Sequence, residues 1–177
     1  ELLANEFWPG PLTLVLDSNG KLPSIVTAGL DTVAIRVPSS AIMQDMLDFC
    51  GSPIAAPSAN TSGKPSPTRL EHSLIDLGSK VEAAIDGGKC EHGLESTVLR
   101  VEGENVYLLR PGAISKIIID KFLKKNNLPK VLDSVDKNSL KASPGTKHKH
   151  YAPNCTVKYF ESLVDLRSEL EIIKNKQ

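Results

Sequence analysis

No charge imbalance, no long apolar run and no paired cysteines mark this sequence of 177 residues, and each absence removes a class of function. Lys plus Arg (21) offsets Asp plus Glu (21), so no general basic field is available to hold nucleic acid, and any polyanion site must be local. Apolar runs such as Ile117-Ile118-Ile119 fall far short of the roughly 18 residues that a membrane span needs. Cys50, Cys90 and Cys155 are odd in number and lack CxxC spacing, which reads as reduced thiols in a cytoplasmic protein. Cys90 and His92 lie close together with no second pair at a zinc spacing, so no metal ligands are assigned. Walker A, GxGxxG and GxSxG sequences are also missing, which removes the common nucleotide and serine-hydrolase signatures.

What is present is ordinary globular material: 40% hydrophobic and 24% charged residues, enough for one domain or for one domain and a piece of another. Glu1 to Trp8 reads as the closing turns of a helix begun upstream, and with no initiator Met both ends are expected to be cut. Pro9-Gly10-Pro11 breaks that helix before a strand over Leu12 to Leu16, which the turn residues Asp17 to Gly20 end. A second strand runs from Thr32 to Val37. Ser39 or Ser40 then caps a helix with Met43, Leu47 and Cys50 on one face, stopped by Gly51. Ile54-Ala55-Ala56 reads as a short buried strand, Thr68 to Glu71 as a capping box opening a helix with Leu70, Leu74 and Leu77 aligned, and Val81 to Ile85 as a strand.

Thr97 to Val101 and Val106 to Leu109 form a hairpin around Gly103-Glu104-Asn105, and a helix from Ser115 to Lys125 follows, facing Ile114, Ile118 and Phe122 inward. The periodicity dissolves between Asn126 and Pro153, so residues 1–125 are read as one domain and 126–153 as a linker or functional loop. Residues 154–177, a strand to Phe160 and a helix capped by Ser162, cannot bury an apolar face alone and read as the start of a truncated second α/β domain.

Pro57 to Ser66, which follows a predicted strand, carries Ser58, Asn60, Thr61, Ser62 and Ser66 with one lysine; hydroxyls and amides there can cradle phosphate or ribose oxygens, or form a plain surface loop. Arg36 lies within an apolar strand, where a guanidinium fork suits either a bound carboxylate or phosphate or a structural salt bridge. Arg110, ahead of Pro111-Gly112, poses the same choice. Gly93 to Thr97 sets Glu95 beside the hydroxyls of Ser96 and Thr97, as a ligand contact or a satisfied turn. His72 reads as structural. Ser143 to Pro153 gathers lysines, His148, His150 and Tyr151, suited to a lid over a nucleotide or to a solvated linker.

Phe7-Trp8-Pro9-Gly10-Pro11-Leu12-Thr13, Thr32 to Pro38, Ala56 to Gly63, Glu95 to Val98 and Leu109 to Gly112 together resemble the YrdC-like family, in order and spacing, from about Phe7 to Phe122. Ser143 to Pro153 resembles the interdomain linker of its long, two-domain members. The resemblance implies an α/β fold, a twisted mixed sheet with flanking helices around a positively charged cavity. It also implies a nucleotidyltransferase that condenses L-threonine, bicarbonate and ATP, with Mg²⁺, into threonylcarbamoyl-adenylate and pyrophosphate for tRNA modification. Downstream tRNA threonylcarbamoyl-transferase proteins would take the product. Carried over by position, Thr32, Ser58, Asn60, Ser66 and Arg110 fall on the ATP side, joined by His150 and Tyr151 from the linker, and Arg36, Ala56 and Ser96 line the threonine. The family's Lys-x-Arg pair has no counterpart in these 177 residues, so this stretch alone is expected to be inactive. The competing reading is a YrdC-like RNA-binding module, with weak tRNA binding and no synthase activity.

Overall fold

The computed structural model describes residues 1–133 and 158–174. Helix α1 (Leu2–Phe7) ends at Trp8, whose indole N–H donates to the Leu12 carbonyl at 2.7 Å and fixes the start of β1 (Leu12–Asp17). Past a single turn, α2 (Ser24–Thr27), strand β2 (Thr32–Ile35) returns antiparallel to β1, with Leu14 opposite Ile35 and Asp17 opposite Thr32. Helix α3 (Ala41–Cys50) starts where Ser40 Oγ accepts the Met43 N–H and stops at Gly51, whose φ of +61° only glycine adopts without strain. Helix α4 (Leu70–Leu77) leads towards β3 (Thr97–Glu102), which lies parallel to β1 and forms a hairpin with β4 (Asn105–Arg110). Helix α5 (Lys116–Lys125), capped by Ser115, returns the chain to a short β5 (Leu132–Asp133) parallel to β4. The five strands run β2-β1-β3-β4-β5 in one mixed sheet. Helix α6 (Leu163–Lys174) begins at Ser162, whose hydroxyl accepts the Asp165 N–H and donates to its carboxylate.

Alternation along the strands sorts side chains to two faces. Leu12, Leu14, Leu99 and Val106 pack with Leu3, Ile114, Ile119 and Leu123 from the helical side, where the rings of Phe7 and Phe122 meet edge to face at 5.4 Å. The other face carries a smaller cluster, Val15, Val98 and Leu109 with Ala34 and Tyr107.

Several expectations need correction. Ile54-Ala55-Ala56 and Val81–Ile85 are irregular and exposed; an apolar run becomes a strand only with ladder partners, and among the described residues neither has one. Nor does the capping box form. The N-cap of α4 is Arg69, with no side-chain cap bond, and the Thr68 N–H and hydroxyl face His72 Nδ1 at 3.4 Å instead of Glu71. Helix α5 meets the core as expected through Ile114 and Phe122, but Ile119 and Leu123 are the fully buried positions and Ile118 is exposed. β2 stops at Ile35, two residues before the expected end. Residues 126–133 do not behave as linker. Leu128 and Val131 pack into the core, the Val131 N–H donates to Asp120 at 2.8 Å, and Lys116 pairs with Asp133. Lys158 to Phe160 form no strand; the remainder of the expected linker and strand, with Cys155, lies outside the described residues.

Candidate functional site

One end of the sheet is built by a close approach between two backbone segments. Buried Thr97, at the start of β3, donates its hydroxyl to the Ile114 carbonyl at 2.6 Å and accepts the Ile114 N–H at 3.0 Å. The Ala113 N–H donates to the Glu95 carbonyl at 2.9 Å. A β-carbon on Gly112 would stand 2.4 Å from the Ser96 carbonyl carbon and the Thr97 nitrogen, so no other residue allows these chains to lie so close. Arg110, at the end of β4, is thereby carried onto Ser96.

The result is a string of polar contacts across the sheet end. Arg110 Nη1 pairs with Glu95 Oε2 at 2.8 Å, while Nη2 donates to the Ser96 carbonyl at 2.9 Å and to its hydroxyl at 3.2 Å. That hydroxyl shares a 2.7 Å hydrogen bond with Thr13 of β1, in a buried position. The other Glu95 oxygen accepts from Ser66 at 3.5 Å, the outer limit of a hydrogen bond. Two opposed charges in a half-buried setting hold each other's geometry better than exposed ones would.

The structure therefore brings Ser66, Ser96 and Arg110 together, and adds Thr13 and Glu95, of which the sequence singles out only Glu95, as part of Gly93 to Thr97 and without an assigned role. Glu95 had a signal in the sequence, a carboxylate beside two hydroxyls at a strand mouth, whereas the Thr13–Ser96 bond joins positions 83 residues apart and left none. Arg36 follows β2 at this same end: with Ile35 opposite Leu14, the antiparallel register carries it towards Thr13. Its side chain is exposed and, among the described residues, takes part in no salt bridge. Thr32 starts β2 beside Asp17, four residues earlier and on the order of 13 Å away at the usual strand rise.

Ala56 and Ser58 lie on an exposed loop. Asn60 organises it, donating to the carbonyls of Thr61 at 2.9 Å and Lys64 at 3.1 Å; its buried Oδ1 has no partner among the described residues. Asp76 of α4 ties the loop down, pairing with Lys64 and accepting the Thr61 N–H at 3.2 Å. The Lys64 hydrogen bond first, and the Thr61 N–H second, hold the Asp76 carboxyl below its ordinary value of 3.8. A shallow, open cleft of about 240 Å³ lies between loop and helix, bordered by Asn60, Lys64, Ser66, His72 and Asp76. His150 and Tyr151 lie outside the described residues.

The family described as telomere recombination, that of Sua5, YciO and YrdC, matches residues 1–112. The threonylcarbamoyl-AMP synthase of Pyrococcus abyssi is 44% identical over 157 residues, covering 89% of this chain and 46% of that protein. The enzyme of the same name from Bacillus subtilis is 46% identical over 152 residues, 85% of this chain and 43% of its own. The crystal structure of P. abyssi Sua5 complexed with L-threonine superposes with a TM-score of 0.81 at 40% identity, over 99% of this chain and 52% of that one. The chain thus spans about half the length of the relatives it matches.

Proposed function

The chain belongs to the Sua5, YciO and YrdC family, and on that premise we propose that the protein is a threonylcarbamoyl-AMP synthase. The threonine amine takes up the carbon of bicarbonate with loss of water, and an oxygen of the resulting carbamate displaces pyrophosphate from the α-phosphorus of ATP. Such a step needs no nucleophilic side chain. It needs two anions held together and their charge offset, for which hydroxyls, amides and arginines suffice.

The observation that carries this reading is the direct contact between Arg110 and Ser96, one matched to the ATP side of the site and the other to threonine. A donor shared between two subsites is what a reaction joining their occupants requires. Arg36, exposed at the same sheet end, is suited to the threonine carboxylate, and Ala56, carried over by resemblance, is assigned to the same subsite. Asn60 offers its buried Oδ1 as an acceptor for a nucleoside N–H or O–H, and Ser58, Ser66 and Thr32 complete the nucleotide side. His150 and Tyr151 would close over the nucleotide from the linker. Mg²⁺ arrives with the triphosphate as part of the substrate. Residues 1–125, with Leu128 and Val131 packed onto them, form part of the catalytic domain, a linker runs towards residue 153, and the segment from 154 opens a second domain. The reaction takes place in the cytoplasm, and the tRNA threonylcarbamoyl-transferase proteins consume the adenylate.

Pyrophosphate release from Mg·ATP in bicarbonate buffer tests this, with the full-length protein and the 177-residue chain run side by side. Release by the full-length protein should require L-threonine, and the 177-residue chain should be silent. Threonine-independent behaviour together with tRNA binding would replace the synthase reading with that of an RNA-binding module.

A further inference from the structure

We infer that Glu95 is a positioning residue, which acts through Arg110 to aim the Ser96 hydroxyl and so couples the two subsites. The inference rests on the reading of those subsites given above. Arg110 presents both ends of its fork at once: Nη1 is held by the Glu95 carboxylate at 2.8 Å, and Nη2 reaches the Ser96 carbonyl and hydroxyl. A guanidinium is rigid and planar, so pairing Nη1 with Glu95 narrows the directions open to Nη2. Nη2 and Thr13 in turn share the Ser96 hydroxyl between them, which leaves its remaining hydrogen-bonding direction defined. The second Glu95 oxygen, facing Ser66, extends the string to the nucleotide loop. A nucleotide phosphate that draws on Arg110 must compete with Glu95, and any turn of the guanidinium is felt at Ser96. Occupancy of one subsite is thereby read at the other.

Threonine and ATP affinities of full-length Glu95→Gln, Arg110→Ala and the double variant test this by calorimetry. Glu95→Gln should weaken threonine about tenfold, as expected when one charge-assisted hydrogen bond loses its orientation, and should add nothing in the Arg110→Ala background. Independent, multiplying effects in the double variant would overturn the inference. So would tighter ATP binding with unchanged threonine affinity, the result for a carboxylate that merely repels phosphate. A second readout needs neither turnover nor a folded variant at position 95: the nitrogen-15 spectrum of the wild-type guanidinium groups. The Arg110 Nη atoms should give separate, slowly exchanging lines, and one averaged line would contradict the proposed restraint. If the wild-type protein binds no threonine, the synthase reading fails, and an averaged Arg110 line would still show that Glu95 does not hold the guanidinium.

Discussion

At the scale of single residues, the hydroxyl of Thr97 serves both backbone groups of Ile114, so its removal leaves a buried donor and a buried acceptor unmet. Thr97→Val should cost about 1–3 kcal/mol in a urea titration, and a variant of wild-type stability would show that water reaches the gap. Gly112→Ala forces a β-carbon against the Ser96–Thr97 backbone, and should cost about 1–3 kcal/mol while lowering threonine affinity with it. Asp76 gives a pH signature. Its carboxyl is depressed in the folded protein, so its contribution is full above the ordinary value of 3.8 and is lost as pH falls through the lower folded value. The urea midpoints of wild type and Asp76→Asn should therefore converge as pH falls from above 3.8 through the lower folded value; a constant gap would mean that the Lys64 pairing is not what anchors the loop. Arg36, Ser96 and Arg110 draw attention in the sequence because charge or hydroxyl at an apolar strand demands a reason, and the structure sets them at one end of the sheet. Glu95 as the partner of Arg110 was not legible there, since that choice depends on a hairpin register and on a glycine whose role is visible only when two backbones touch.

Elements reveal where periodicity suffices. β1, β3, β4 and α3 fall within a residue or so of their predicted bounds, because turn residues and caps mark them: Ser40 and Gly51 for α3, Gly103 between β3 and β4. Helix α5 was found by the same signs, yet three consecutive isoleucines, Ile117 to Ile119, do not say which one faces the sheet. Its register is directly testable. Leu123→Ala should cost about 2–5 kcal/mol and Ile118→Ala no more than about 0.5; the reverse order would place the helix as the sequence first suggested. Ile54 to Ala56 and Val81 to Ile85 failed as strands because strand formation depends on partners distant in sequence, which local composition does not report.

On the scale of the whole molecule, the mixed sheet brings Arg110 and Ser96 into contact at one strand end, in a chain that spans about half of its relatives' length. The expected linker rests on a loss of periodicity after Asn126, yet Leu128 and Val131 pack into the core, so the first unit continues past that point. Pyrophosphate release alone does not separate a threonylcarbamoyl product from simple activation of an amino acid, whereas the carbon of bicarbonate does. The full-length protein should therefore be incubated with radiocarbon-labelled bicarbonate, Mg·ATP and L-threonine, and the adenylates resolved by chromatography. The account predicts label in a single adenylate that also contains threonine and is lost when any of the three substrates is withheld; an unlabelled threonyl adenylate, or no adenylate at all, would contradict it.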